Sequence, residues 1–340
     1  MEAYLQYAKT RDDVSIAFST TGRGPPVVFA SNPCEVHKNS PHPHTRFMTE
    51  QLVRCGWRVI RYDLRGMGSS DRLITEMSLE GLQGDVEGVV DRLGLPRFAL
   101  IGISAGAAVA IAYAASHPER VSRLILLDPF ESGAAWSEHS PLRRLLQVIS
   151  ALTEDDWSVF TLAAGNAVTN FTSAEEARAL AEALEGSATP KTFLAYEHVM
   201  RSVDLRDVLP TVHVPALVMH NAEFPVGSFE MSRRVASALG DARFGVVSGE
   251  DSHEIEAIDA FLRTAGEPVS MEAGGLDGHL TPRESDVLRL ISVGKTNREI
   301  SEELVLSERT VARHITNIYG KLNLRSKAEA TAYAIHHGVV

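Results

Sequence analysis

Apolar and polar positions over the first 260 or so residues follow two alternating patterns. Short runs of β-branched and other apolar residues are separated by longer stretches in which apolar residues recur at helical spacing. The runs predict seven strands: Val14–Thr20, Pro26–Ala30, Arg58–Tyr62, Phe98–Ile103, Arg123–Leu127, Ala216–His220 and Phe244–Val247. The intervening helices include Leu79–Leu93 and Ala105–Ser116. Strands that alternate with helices in this way indicate an α/β fold, with a parallel sheet covered on both faces.

The alternation is interrupted at about residues 131–210, where the pattern is helical, as in Pro141–Leu152 and Ser173–Leu184. We expect this insertion to form a helical cap over the carboxyl edge of the sheet, where open α/β sheets bind ligands. Residues 265–279 are rich in glycine, alanine and acidic residues and lack apolar periodicity, which is typical of a linker.

Four short helices are predicted after the linker. The first begins at the capping box Thr281–Glu284, and the others are predicted to be capped by Asn297, Ser307 and Ser326. The pattern therefore divides the chain into an α/β domain at 1–264, a linker at 265–279 and a small all-α domain at 280–340.

Composition and charge narrow the function classes. The two cysteines exclude a disulfide-built scaffold, and the apolar runs are too short for a membrane helix, so a cytoplasmic protein without a membrane partner is expected. The net charge of −11 lies entirely in residues 1–270, because residues 271–340 carry nine basic and nine acidic residues. Residues 309–327 hold five basic residues and no acidic one, which favours DNA as a partner of this segment.

The strongest chemical motif is Gly102-Ile103-Ser104-Ala105-Gly106, which follows a predicted strand and precedes a predicted helix. In that setting, a G-x-S-x-G sequence forms a nucleophile elbow that lifts the serine hydroxyl above the sheet. With the segments at 58–72, 117–129 and 204–220, it makes residues 1–263 resemble the α/β-hydrolase superfamily. That superfamily contains receptors as well as enzymes, so the resemblance implies the fold more strongly than it implies an activity.

The resemblance implies two partners for Ser104. The histidine that follows the last strand is His253, and the acid that follows the preceding strand is Glu223, because Phe224 occupies the position usually filled by aspartate. Asp128, after the Arg123–Leu127 strand, is the alternative acid.

The oxyanion hole departs from the hydrolase pattern. One donor is expected to be the backbone N–H of Ala105, and the other falls on Pro33, which has no N–H, unless a one-residue slip places Cys34 there. We therefore expect weak or no serine-hydrolase activity. The predicted ligand pocket is lined by Asn32, Pro33, Cys34, Ser104, Ala105, Phe224 and His253. The spacing of Cys34, His37, His42 and His44 matches no standard zinc site, so neither a metal nor a cofactor is predicted.

Residues 280–339 resemble the LuxR-type helix-turn-helix domain in the segments around Leu280–Glu284, Gly294–Leu304 and Ser307–Ile318. The third helix carries an apolar stripe at Val311, Ile315, Ile318 and Leu322, which predicts that its opposite face enters the major groove. The predicted DNA-binding residues are Lys295, Thr296, Asn297, Arg309, Thr310, Arg313, Thr316, Asn317, Lys321 and Arg325.

Together the two halves predict a ligand-responsive, one-component transcriptional regulator. Its partners would be promoter DNA, a small molecule such as an ester or lactone, and a second copy of the chain paired through the last helix. The alternative is an active serine esterase or lactone hydrolase with an accessory DNA-binding tail. The acid and oxyanion positions discriminate between the two hypotheses.

Overall fold

The computed structural model separates the chain into two compact units, Met1–Ala265 and Gly266–Val340. In the first unit the structure describes residues 5–30, 43–74, 76–149, 153, 156–169, 171, 173–221, 227–247 and 251–264. In the second it describes residues 287–288, 290–291, 295–304, 310–311, 314–315 and 318. Among the described residues, no helix is long and apolar enough to cross a membrane.

The first unit is built on an eight-stranded sheet in the order β1-β2-β4-β3-β5-β6-β7-β8. The strands are β1 Gln6–Lys9, β2 Ser15–Thr21, β3 Pro26–Ala30, β4 Arg58–Tyr62, β5 Phe98–Ile103, β6 Val121–Leu127, β7 Ala216–Asn221 and β8 Ala242–Val247. Strands β3 to β8 run parallel, as the alternation of strands and helices predicts, whereas β2 pairs antiparallel with both β1 and β4.

Strand β1 is absent from the sequence prediction. Only Ala8 of its four residues is buried, so its apolar pattern is too short to identify.

The helices of this unit are α1 Pro43–Arg54, α2 Leu79–Arg92, α3 Ala105–Ser116, α4 Gly133–His139, α5 Pro141–Ile149, α6 Trp157–Val168, α7 Ala174–Ser187, α8 Pro190–Ser202, α9 Phe229–Ala238 and α10 Asp251–Arg263. Helices α2, α3 and α9 contribute to a buried cluster on one face of the sheet, and α1 and α10 to a second cluster. Alternate residues of β3 divide between them, since Val28 packs in the first cluster and Val27 in the second. The sheet is therefore covered on both faces.

Helices α4 to α8 form the helical insertion predicted as a cap. Its two ends meet in a neck, where the N–H of Gly133 donates to the carbonyl of Val203 (2.8 Å) and the N–H of Leu205 donates to the carbonyl of Glu131 (2.8 Å). Inside the insertion, the Trp136 ring stacks on Phe130 with the centroids 4.3 Å apart. Because Phe130 follows β6 closely, this stack connects the insertion to the carboxyl edge of the sheet.

In the second unit, α11 spans Asn297–Leu304. The prediction that Asn297 caps this helix was wrong by one residue. Thr296 is the N-cap, because its hydroxyl accepts the N–H of Glu299 (3.3 Å) while the Glu299 carboxylate accepts the N–H of Thr296 (2.7 Å). This reciprocal pair is a capping box, and it makes Asn297 the first helical residue.

The described part of the second unit has its own small core. Val311 and Ile318 are fully buried in it and Ile315 packs against it, as the helical spacing predicts. Leu322, the fourth member of that stripe, lies outside the described residues.

Candidate functional site at the carboxyl edge of the sheet

Ser104 occupies the sharp turn between β5 and α3. Its backbone angles are φ 52° and ψ −112°, a conformation that L residues rarely adopt. Its N–H donates to the carbonyl of Leu127 on β6 (2.8 Å), and its side chain is nearly buried. This is the strained strand-to-helix turn of a nucleophile elbow.

Gly102 allows the helix to start so close to the strand. A Cβ at this position would lie 2.5 Å from the Cα of Ala107 and 2.7 Å from the carbonyl oxygen of Gly106. Ala105 begins α3, so its N–H is not used by the helix and is available as an oxyanion donor. The motif therefore needs a glycine at 102, where strand and helix backbones approach closely, and it places the serine next to the first N–H groups of the helix.

Asp128 is the residue directly after β6, the strand that neighbours β5. Its carboxylate is buried, and its backbone also has a positive φ, 47°. The Asp128 Oδ1 accepts a hydrogen bond from Nδ1 of His220 (2.7 Å) and a second one from the N–H of Asn221 (3.2 Å). Burial raises the pKa of Asp128, and the hydrogen bond from His220 opposes that rise.

His220, near the end of β7, is a residue of this polar cluster that the sequence prediction did not include. The sequence shows a histidine at the end of an apolar run, but its partner is 92 residues away. The pairing becomes visible only when β6 and β7 are placed side by side. Asp128, the alternative acid of the sequence prediction, is therefore engaged by a histidine other than His253.

A second imidazole–carboxylate pair lies at the start of α10. Glu254 is buried, and its Oε1 and Oε2 lie 3.0 and 3.2 Å from Nε2 of His44 on α1. His253 is the third residue of α10 and its side chain is outside the described part of the structure. The pair thus joins the helix that carries His253 to the helix that follows the predicted oxyanion loop.

The predicted acid Glu223 and the remaining predicted pocket residues, Asn32, Pro33, Cys34 and Phe224, lie outside the described residues. So do His37 and His42. The triad acid and the second oxyanion donor therefore stay predictions.

Three of the predicted DNA-binding residues are described around the start of α11. Lys295 forms an ion pair with Glu303 (2.5 Å), while Thr296 and Asn297 begin the helix. Thr310 lies in a helical turn of the third predicted helix. The others lie outside the described residues: Arg309, Arg313, Thr316, Asn317, Lys321 and Arg325.

Comparison with known families matches both halves. Residues 34–199 match the model of the alpha/beta hydrolase fold, and residues 278–334 match the model of bacterial regulatory proteins of the luxR family. The chain fuses an α/β-hydrolase fold to a luxR-family domain.

Similar solved structures agree with the fold of the hydrolase half. A bromoperoxidase from Bacillus anthracis superimposes with a TM-score of 0.64 at 19% identity, covering 76% of this chain and 100% of the bromoperoxidase. An esterase from Exiguobacterium antarcticum gives a TM-score of 0.63 at 22% identity, covering 76% of this chain and 97% of the esterase. At these identities the likeness shows the fold alone.

Sequence relatives fall into the same two classes. The AB hydrolase superfamily protein YisY of Bacillus subtilis is 27% identical over 237 residues, which cover 68% of this chain and 87% of YisY. The transcriptional regulatory protein LiaR of Bacillus subtilis is 48% identical over 116 residues, or 33% of this chain. The match spans 53% of LiaR, about half its length.

Proposed function

We propose that this fusion protein is a transcriptional regulator whose luxR-family domain binds promoter DNA and whose hydrolase-fold domain binds a small molecule. The observation that carries the proposal is the fusion itself, one chain that matches both a hydrolase-fold model and a luxR-family model. The regulatory name of LiaR supports the DNA-binding half. The small molecule would occupy the carboxyl edge of the sheet beside Ser104, as ligands do in open α/β sheets.

A specific observation also favours the alternative of an esterase, because the elbow at Ser104 is intact and strained. Pro33 at the expected oxyanion position argues against full activity, since the loss of one donor slows acyl transfer by about 10²–10³-fold. We therefore propose a receptor that retains, at most, slow hydrolysis.

We expect 4-nitrophenyl esters to be hydrolysed far more slowly than the median enzyme rate of about 10 s⁻¹. Ser104→Ala should reduce the remaining turnover to the uncatalysed background, because no other hydroxyl is presented by the elbow turn. Continuous absorbance assays of 4-nitrophenol release with purified protein measure the turnover of the wild type and of Ser104→Ala. Ser116→Ala, at the other end of α3, is the matched control and should change nothing. Ordinary enzyme rates that depend on Ser104 would favour the esterase.

We expect Arg313→Ala to weaken binding to the DNA upstream of the protein's own gene by about 1–3 kcal/mol, the usual cost of losing an arginine that reads a base. Fluorescence anisotropy with the full chain and labelled DNA measures the affinity. Arg206→Ala removes the same charge from the hydrolase half, where the exposed Arg206 pairs with Asp204, and serves as the control. Equal affinities of wild type and Arg313→Ala would contradict the prediction that the third helix of the luxR-family domain reads DNA through Arg313.

The sensing part of the proposal has its own test. A ligand that changes DNA affinity must have its own affinity changed by DNA by the same factor, with a typical coupling of about 1–3 kcal/mol. A small molecule recovered by native mass spectrometry should therefore bind the full chain with different affinity in the presence and absence of DNA. If the two affinities are equal, the hydrolase half is not a sensor.

A further inference from the structure

Three polar residues stand in one row across the carboxyl edge of the sheet. Ser104 follows β5, and its N–H bonds to β6 at Leu127; Asp128 follows β6, and its N–H bonds to β7 at Met219 (2.9 Å). The register pairs Ile103 with Leu127 and Leu127 with Met219, so Ser104, Asp128 and His220 occupy the same level on three adjacent strands. With strands about 4.8 Å apart, Asp128 lies one strand from Ser104 and His220 lies two strands from it.

The backbone at Asp128 is as unusual as that at Ser104. Both residues have a positive φ, 47° and 52°, and they are neighbours on adjacent strands. Such strain persists where the surrounding structure enforces it, and it clusters at functional sites. The strained turn presents the Asp128 carboxylate at the level of the nucleophile.

The surroundings of Asp128 hold the His220 ring in one orientation. The Asp128 Oδ1 contacts both the Asn221 N–H and the ring Nδ1. An ionised Asp128 can only accept hydrogen bonds, and in that state the proton of the pair lies on Nδ1. Phe229 meets the ring edge-on with centroids 6.1 Å apart. Gly227 packs so closely that a Cβ there would lie 3.0 Å from Oδ1.

This geometry makes the other ring nitrogen a proton acceptor. When Nδ1 of a neutral imidazole carries the proton, Nε2 is free to accept one, and a carboxylate behind Nδ1 stabilises the imidazolium that results. Burial raises the pKa of Asp128, and the negative charge of the nearby Glu254 adds to that rise. About a tenth of the His220 side chain remains exposed.

We propose that Asp128 and His220 form a proton-accepting dyad that binds a small molecule with an acidic hydroxyl group, a phenol or an enol, through Nε2 of His220. The inference rests on the proposed function, since it assigns the chemical class of the sensed molecule. The hydroxyl O–H bond breaks, its proton forms a bond to Nε2, and the phenolate or enolate oxygen then accepts the new N–H. The net charge of ligand and dyad together is unchanged.

The dyad discriminates among hydroxyl-bearing ligands by acidity. A carboxylic acid has already lost its proton near neutral pH, and an aliphatic alcohol holds its proton too tightly to transfer it to imidazole. Phenols and enols lie between these limits, and the acidic ones, whose pKa lies near the usual imidazole value of about 6.5, can share their proton with Nε2. The aromatic ring of Phe229 beside His220 favours an unsaturated ligand over a saturated one.

The probe for the dyad is 4-nitrophenol, because its phenolate absorbs visible light and its neutral form does not. We expect the full-length protein to bind it as the phenolate at a pH where the free probe is mostly neutral. His220→Gln should bind at least about tenfold more weakly and lose the phenolate band, since a hydrogen bond to a charged group is removed. His213→Gln changes an exposed histidine just before the same strand and should behave as wild type.

Asp128→Asn provides a second variant of nearly unchanged shape. It should leave bound 4-nitrophenol in the neutral form, because the carboxylate no longer stabilises an imidazolium. Thermal unfolding of each variant shows that it is folded. The dyad is overturned if wild type does not bind the probe, or if His220→Gln binds it with wild-type affinity and spectrum.

The same titrations with and without DNA separate the two proposals. Phenolate binding that requires His220 but does not respond to DNA supports the dyad and contradicts the sensor. A recovered ligand that alters DNA affinity equally in wild type and His220→Gln supports the sensor and contradicts the dyad.

Discussion

Arg65→Ala is expected to lower the free energy of unfolding by about 3–5 kcal/mol, the usual cost of leaving one member of a buried ion pair alone. Arg65 follows β4, and its guanidinium and the Asp85 carboxylate on α2 are both buried. The Asp85 Oδ1 accepts from Nε (2.8 Å) and Oδ2 accepts from the Arg65 N–H (3.0 Å), while Asp12 accepts from Nη1 (2.7 Å). Without the guanidinium, Asp85 keeps only the backbone donor.

The loss in Arg65→Ala should depend on pH in a defined direction. Burial raises the pKa of Asp85 to about 7, against the opposing effect of Arg65. An acid with a raised pKa binds its proton more tightly in the folded than in the unfolded chain, so its favourable contribution is present at low pH and is lost as the pH rises toward 7. Removing Arg65 removes the opposing cation, so the variant should be least stable above pH 7 and recover in mild acid.

Urea denaturation at pH 5 and pH 8 measures this difference. Arg206→Ala breaks an exposed ion pair and should leave stability nearly unchanged at both pH values. The double variant Arg65→Ala/Asp85→Asn should recover part of the loss at pH 8, because no buried charge remains. A loss in Arg65→Ala that is equal at the two pH values would show that Asp85 is not the source of the instability.

The elements whose ends the sequence predicts correctly, β3, β4, β5 and α3, are largely buried. All six residues of β5 are buried, and both predicted ends of the strand, Phe98 and Ile103, match the structure. Helix α3 likewise begins and ends at the predicted residues, and Gly102 and Ser104 determine where it begins. Local chemistry and burial agree at these positions, so a single sequence is informative.

The parts that sequence misses depend on which strands become neighbours. The bond between His220 and Asp128 requires β7 beside β6 in a register that brings both residues to one level, and residues 129–219 separate the two in the chain. The pairing of His44 with Glu254 similarly joins residues 210 positions apart. Neither pair has a short-range spacing signal, so the polar network of the site could not be predicted, although the elbow could.

The second large effect on stability is expected from a substitution in the neck of the cap. Gly133→Ala is expected to destabilise the folded protein by about 3 kcal/mol, the upper end of the usual cost of overpacking. A Cβ at Gly133 would lie 1.8 Å from the carbonyl oxygen of Met200 and 2.9 Å from its carbon. These are backbone atoms, so the clash cannot be relieved by a rotamer change and the bond from Gly133 to Val203 must stretch or break.

Gly186→Ala is the matched control, since Gly186 lies in the last turn of α7 and, among the described residues, no atom beyond its chain neighbours and its own helix backbone lies within 4 Å of the added methyl group. It should stabilise the protein by about 0.5–1 kcal/mol, because alanine loses less backbone freedom than glycine in a helix. Urea denaturation compares the two variants, and equal stability would show that the neck can relax around an extra methyl group. If the cap covers Ser104 and His220 and the neck sets its position, Gly133→Ala should weaken 4-nitrophenol binding at urea concentrations where the protein remains folded, whereas Gly186→Ala should not.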